Sequence, residues 1–352
     1  MSPHPREAPA TLGYRWPAEW EPHAGTWLSW PHNRDTWPGH FEGVPAAYAE
    51  LVRALQGRET VHLNVGSEAL EEAARRTLRA AGIDPDRGIA FHRIATNDAW
   101  TRDHGGIVVT RDRAGRRDRA VLDFAFDSWG RKYGPFDLDD DVPRQMAEVL
   151  GLPRFETRIV LEGGSVDGNG RGSILTTESC LLNPNRGPGR TRERMERLLA
   201  DWLGATNVLW LGDGIAGDDT DGHVDDLTRF VEAGTVVTVI EDDPADPNHE
   251  PLRENLARLR EMRDQDGKPL SIATLPMPPP VLVDGQRCPA SYANFYLANG
   301  ACLVPTFGAP TDAAALAVMR ELLPARDVIG IPCRELVYGL GAVHCLSQQE
   351  PA

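Results

Sequence analysis

Nowhere in these 352 residues is there a run of about 18 apolar residues that could span a bilayer, and the start, Met1-Ser-Pro-His-Pro-Arg-Glu-Ala-Pro-Ala10, lacks the apolar core of a secretory signal. Cysteine is scarce. Cys180, Cys288, Cys302, Cys333 and Cys345 make five, an odd number without a Cys-x-x-Cys pair, which argues against a disulfide framework and against a zinc cluster. A reducing compartment follows, and a cytoplasmic protein is expected. Positive charge is in deficit: 37 Lys and Arg against 52 Asp and Glu leave a net −15, a field that repels nucleic acid and anionic membranes and attracts small cations. Acidity also serves solubility alone, so it ranks substrates without choosing one.

No linker of biased composition divides the chain. At about 150 residues per domain the length suggests two, but the pattern argues for one. Trp27-Leu-Ser-Trp30 reads as a buried strand, Glu42 to Leu55 as a helix, Val61 to Val65 as a strand, and Ser67 as the cap of a helix that stops at Gly82. Similar units recur: strands at Ile89 to Ile94, Gly106 to Thr110 and Ala120 to Phe124 with a charged turn at Arg111 to Arg119; a helix at Val142 to Leu150; strands at Arg158 to Leu161 and Ser173 to Thr177; a helix at Thr191 to Leu203; and strands at Asn207 to Leu211 and Thr235 to Ile240. Leu275 to Pro280 reads as a connector, and the last strand carries Cys345. About five such units, without a residue-level repeat, point to a single closed domain spanning 1–352, with residues 1–12 a flexible N-terminus.

Four stretches carry groups suited to chemistry. Tyr338-Gly-Leu-Gly-Ala-Val-His-Cys345 offers a thiol beside glycines, of which Gly341 lets a substrate approach the backbone. A buried free cysteine is also commonly an inert hydrophobe. In a strand, His344 would face away from Cys345, so a base has to come from elsewhere. In Asn97-Asp-Ala-Trp100-Thr-Arg-Asp103, Asp103 either pairs with Arg102 or receives a guanidinium with Trp100 offering its ring face. Gly217-Asp-Asp-Thr-Asp-Gly-His223-Val-Asp225-Asp226 puts an imidazole and a carboxylate two residues apart, on one face if the backbone is extended; an acidic metal site is the rival, although the calcium-loop spacing is missed. Glu162, before Gly163 and Gly164, either enters a tight turn or orients His223 as a third group. Carboxylates gathered in a dry pocket are costly unless they meet a planar cation, and an alkylguanidinium supplies one.

Beyond these groups, the chain resembles the agmatine deiminase family of the guanidine-modifying enzymes. The resemblance runs through Trp20-Glu-Pro-His-Ala-Gly-Thr-Trp27, Trp30-Pro-His, Asn97-Asp-x-Trp-x-Arg-Asp103, Leu161-Glu-Gly-Gly-Ser165, Cys180-Leu-Leu-Asn-Pro-Asn-Arg186, Asp221-Gly-His-Val-Asp225, Tyr292-x-Asn-Phe-Tyr296 and His344-Cys345. It implies a five-bladed, pseudo-symmetric α/β propeller. It also implies Cys345 as nucleophile, His223 as acid and base, Asp103 and Asp225 as guanidinium ligands, and Glu162 and Trp100 in support. Leu340 and Ala342 stand where the family usually has glycine and asparagine; neither change removes a catalytic group.

The implied reaction is hydrolytic deimination of a small guanidine, agmatine foremost, to N-carbamoylputrescine and ammonia through an amidino-cysteine, with no metal or cofactor. Peptidylarginine or free-arginine deimination and amidino transfer are the nearest alternatives. A metal-dependent hydrolase on the Asp218 to Asp226 run and an inactive guanidine-binding protein are the distant ones. The expected partner is a small cationic guanidine, not nucleic acid or membrane, with a homodimer left open.

Overall fold

The computed structural model describes residues 7–352. Residues 1–6 of the expected flexible N-terminus lie outside the described residues; Pro9–Leu12 form a 3-10 turn that buries Pro9 and ends at Gly13, whose φ is +85°.

Five mixed sheets follow one another, and each repeats one plan. Two strands pair antiparallel, then a helix carries the chain across to a third strand lying parallel to the second. In one sheet Ile107–Arg113 pairs with Arg116–Ala125, which pairs with Arg154–Val160. Next come Val166–Gly168, Ser173–Thr177 and Asn207–Leu211; then Thr228–Glu232, Thr235–Ile240 and Ser271–Pro276; then Tyr296–Ala298, Ala301–Thr306 and Asp327–Pro332. The remaining sheet joins the two ends of the chain: Ser347–Pro351 pairs antiparallel with His23–Ser29, which continues in parallel to Thr60–Asn64 and Ile89–His92. A small hairpin, Leu282–Val283 with Gln286–Arg287, stands apart. Among the described residues the strands form no closed barrel.

The crossover helices form where apolar residues recur at helical spacing. Val44–Leu55 buries Tyr48, Leu51, Val52 and Leu55 on one side. Ser67 caps Glu68–Ala80 by accepting the Leu70 N–H at 3.1 Å, and Arg192–Leu203 ends at Gly204 in the left-handed region. Two expectations need correction. The charged run Arg111 to Arg119 is not a loop: both strands extend through it and only Ala114 and Gly115 turn, because Arg111 pairs with Asp118 at 3.1 Å and Arg117 with Asp112 at 3.1 Å across the hairpin. The supposed connector at Leu275 begins inside a strand, Ser271–Pro276, whose parallel partner covers it.

Every sheet is entered through a short non-strand segment, and this sets up the site. Thr101–His104 precedes Ile107, Gly163–Ser165 precedes Val166, and Val224–Asp226 precedes Thr228. Residues 291–294 precede Tyr296, and the turn at 343–346 precedes Ser347. Those five segments carry or adjoin Asp103, Glu162, Asp225, Asn294 and Cys345.

Candidate active site

Cys345 sits in the turn at 343–346, not in a strand as the apolar run suggested. The turn is held by Ser347, whose hydroxyl donates to the Val343 carbonyl at 2.9 Å, and by Asn294, whose Oδ1 accepts the His344 N–H at 2.9 Å. Asn294 also donates through Nδ2 to the Cys345 sulfur and to Asp226 Oδ1, both at 3.0 Å. The sulfur is 3.8 Å from Asp225 Oδ2. Burial, and then the carboxylates of Asp225, Asp226 and Asp103, push the thiol well above its ordinary pKa, so it rests protonated.

The turn also corrects the expectation about His344. Because the chain is not extended there, His344 does not face away: its Nδ1 lies 2.7 Å from Asp225 Oδ2 and its Nε2 2.9 Å from Glu19 Oε2. Burial raises the Asp225 pKa, but the hydrogen bond and charge of His344 outweigh it and hold that carboxyl below its usual range. Glu19 in turn pairs with Arg229 at 3.0 Å and Arg102 at 3.2 Å, a buried ionic set beneath the site.

Arg102 thus pairs with Glu19 and leaves Asp103 alone. Asp103 Oδ1 accepts the Gly164 N–H at 3.0 Å, its Oδ2 accepts the Trp129 indole N–H at 2.9 Å, and the His223 Nδ1 stands 3.7 Å away. Burial lifts its pKa to about 6 against the pull of His223. For His223, burial disfavours the imidazolium, yet Asp103, then the neighbouring Cys180 sulfur and Asp225, outweigh it and carry the pKa well above the ordinary value. His223 and Asp225 converge, Nδ1 to Oδ1 4.0 Å, through a 3-10 turn at Val224–Asp226, where an extended segment was expected. Neither ring nitrogen of His223 has a hydrogen-bond partner among the described residues, and Asp225 Oδ1 has none either.

Glu162 adopts the tight-turn reading: it is extended and leads into Gly163–Ser165. Its Oε1 accepts the Arg186 Nε–H at 2.9 Å instead of an imidazole N–H, although a ring nitrogen of His223, the Cys180 sulfur and a Glu162 oxygen all lie within 4.8 Å of one another. Gly164 is the closest neighbour of the whole cluster. A Cβ there would stand 2.6 Å from His223 Nδ1, 2.8 Å from Asp103 Oδ1 and 3.0 Å from Asp225 Oδ2, which is why no larger residue fits. Gly341 packs similarly: a Cβ would collide with the Trp100 ring and reach within 3.0 Å of the Cys345 Cβ.

A cavity of about 960 Å³ reaches Asp103 and Cys345, lined also by Trp37, Trp100, Trp129 and Leu340. Trp100 is buried and tilted against Trp37, ring centroids 5.6 Å apart. Leu340 holds φ +70°, a conformation that disfavours a side chain. Ser128, Trp129, Gly130 and Arg131 form a full left-handed turn with φ between +56° and +86°; at about 1–2 kcal/mol per L-residue such a turn persists only where its surroundings enforce it.

The acidic run that suggested a metal site is gathered only in part: Asp225 and Asp226 come together beside Cys345, while its other carboxylates turn to separate partners. Asp218 accepts the Thr220 and His223 N–H groups, Asp221 pairs with Arg186 and Lys132, and Asp226 faces Asn294. Among the described residues the groups near enough to share a metal ion are Glu162, Cys180 and His223, and Asp225, Asp226 and Cys345. Sequence reasoning had missed Glu19, Trp129, Asn294 and His344. Asn294 and His344 stood inside recognised motifs, but only the turn geometry reveals what they touch.

The profile of Porphyromonas-type peptidyl-arginine deiminases matches residues 15–351. An agmatine deiminase of Stutzerimonas stutzeri is 37% identical, with 98% of this chain and 97% of that protein aligned. The structure of an Enterococcus faecalis agmatine deiminase superposes with a TM-score of 0.91 at 32% identity, covering 98% of both chains. That of a C. jejuni agmatine deiminase with substrate bound superposes with a TM-score of 0.86 at 28% identity over 96% of each chain. The chain belongs to the Porphyromonas-type peptidyl-arginine deiminase family, together with the agmatine deiminases.

Proposed function

We propose that the protein hydrolyses agmatine to N-carbamoylputrescine and ammonia, through a covalent amidino adduct on Cys345. The observation that carries this reading is the gathering of the Cys345 thiol and the His223 imidazole with Asp103, Asp225 and Asp226 at a cavity lined by Asp103 and Cys345, a negative site suited to a flat cation. We read the five sheets as the blades of an α/β propeller, with the entry segments gathered about its axis.

On this reading Asp103 and Asp225 hold the guanidinium in plane, and Trp100 and the backbone at Gly341 bound the space beside it. The cation cancels the field that keeps Cys345 protonated, so as substrate arrives the thiol releases its proton to solvent and the thiolate forms. Sulfur adds to the central carbon; the C–N bond to a terminal nitrogen breaks as His223 gives that nitrogen its proton, and ammonia leaves. Water, losing a proton to His223, adds to the same carbon, the C–S bond breaks, the sulfur takes up the proton of the new hydroxyl, and the ureido product departs. Glu162, kept ionised against burial by Arg186, stands behind His223, and its negative charge favours the charged form of that ring.

The cavity lining beyond Asp103 and Cys345 favours a second cation over a carboxylate. Its lining includes Asp35, Asp98, Asp219 and Asp284, while Arg34 is tied to Glu42 at 2.8 Å. An aminobutyl chain fits that lining better than the α-carboxylate of free arginine or a peptide. The cysteines, all free and buried, suit the reducing cytoplasm. Incubation with agmatine, arginine and a blocked arginine peptide, assayed for ammonia and ureido product with Cys345→Ser as control, tests the reading. Agmatine turnover at least ten times faster in kcat/KM is expected; equal turnover of the peptide, or no ureido product from any of the three, overturns it.

A further inference from the structure

We infer that the left-handed turn at residues 128–131 is a positioning clamp, in which Trp129 fixes the Asp103 carboxylate and the following residues fix the loop that bears His223. This rests on the deiminase reading for its consequence in catalysis, not for its geometry.

The turn is braced from both sides. The Asp127 side chain accepts the Gly130 N–H at 2.9 Å, and its carbonyl accepts the Arg131 N–H at 2.7 Å. Gly130 lies so close to Asn185 that a Cβ would stand 2.6 Å from the Asn185 amide carbon. Asn185 itself donates to Asp221 at 2.9 Å. From the far side of the turn, the Lys132 ammonium reaches Asp221 at 2.8 Å and the Tyr133 hydroxyl donates to Asp219. Asp219 and Asp221 belong to the loop that ends in His223. A single strained turn is therefore bonded at one end to Asp103 and at the other to the His223 loop.

Trp129 acts through Asp103. It is buried, packed edge-on against Phe126 at 5.4 Å, and its indole N–H is the donor to Oδ2. Oδ1 is taken by the Gly164 N–H, so these two donors set the plane of the carboxylate. The charged groups that face Asp103 are His223, Asp225 and Glu162. With two anions and one cation about it, the carboxylate needs a donor that does not titrate, and the indole is one. Loss of that donor leaves a buried oxygen unsatisfied, which favours the protonated acid.

The test is Trp129→Phe, which keeps a ring and removes the N–H. Carbon-13 NMR of the free enzyme, with Asp103→Asn used to assign the resonance, is expected to show the Asp103 titration moving above its value in the unsubstituted protein, which lies near 6. In the Cys345→Ser background, calorimetric agmatine affinity is expected to fall on the order of tenfold or more, and in the active enzyme the acid limb of kcat/KM to move upward with the carboxyl. An unmoved Asp103 titration in a folded Trp129→Phe protein overturns the inference. Absence of agmatine binding in Cys345→Ser with an intact Trp129 overturns the deiminase reading and leaves the NMR result to decide the clamp. Tyr133→Phe, at an exposed site, is the second variant: a several-fold loss in kcat with the acid limb in place is expected, and wild-type kinetics refute the link to the His223 loop.

Discussion

Gly164→Ala is the substitution most directly read from the geometry. Its new methyl would stand 2.6 Å from His223 Nδ1, 2.8 Å from Asp103 Oδ1 and 3.0 Å from Asp225 Oδ2, so all three groups have to retreat by tenths of an ångström. Misplacement of reacting groups by about 1 Å costs on the order of 100-fold, and here three groups move together; kcat/KM is expected to fall by about 100-fold or more. The overpacking costs about 1–3 kcal/mol, which a domain of this size tolerates. Gly163→Ala is the contrast: its methyl would drive into the Arg102 backbone carbonyl, which cannot swing aside, so thermal stability suffers more there. Steady-state ammonia release and thermal melts of both variants provide the comparison. A folded Gly164→Ala enzyme within about threefold of wild type would show that the three groups are not held at the geometry on which catalysis depends.

Three further outcomes are expected. His344→Asn removes the partner that holds the Asp225 carboxyl low; because Asp225 is depressed and functions ionised, its pKa rises and the acid limb of kcat/KM moves to higher pH, measured from the rate profile. Leu340→Gly relieves a left-handed leucine but loosens the unfolded chain, two effects of about 1 kcal/mol each that oppose, so denaturant melts should shift by less than about 1 kcal/mol. Dialysis against a chelator should leave ammonia release unchanged, since the mechanism calls on no metal; loss of activity restored by a divalent ion would require one of the two buried triads to hold it.

Much of this was legible in the chain because helix and strand periodicity is local. Val142–Leu150, Ser173–Thr177, Asn207–Leu211 and Thr235–Ile240 fall where the pattern put them. The failures share one cause, tertiary pairing that overrides local sequence. Arg111 to Arg119 looks like a turn until Arg111 finds Asp118 and Arg117 finds Asp112 across a hairpin. Val343 to Leu346 looks like a strand until Asn294, about fifty residues earlier, claims two of its backbone N–H groups. That second error hid His344, since alternation along a strand was the only reason to set it aside. Trp129 was invisible for a different reason: nothing in Asp127-Ser-Trp-Gly-Arg131 announces three non-glycine residues at positive φ, because the conformation is imposed by Asn185 and the loop beyond it.

The central claim is that the sulfur of Cys345 bonds to the guanidinium carbon of the substrate. Rapid acid quench of the enzyme during agmatine turnover, followed by peptide mass spectrometry, measures it. The predicted result is an amidino-type adduct confined to the peptide bearing Cys345, with neither adduct nor turnover in Cys345→Ser. Turnover that persists in Cys345→Ser would contradict it.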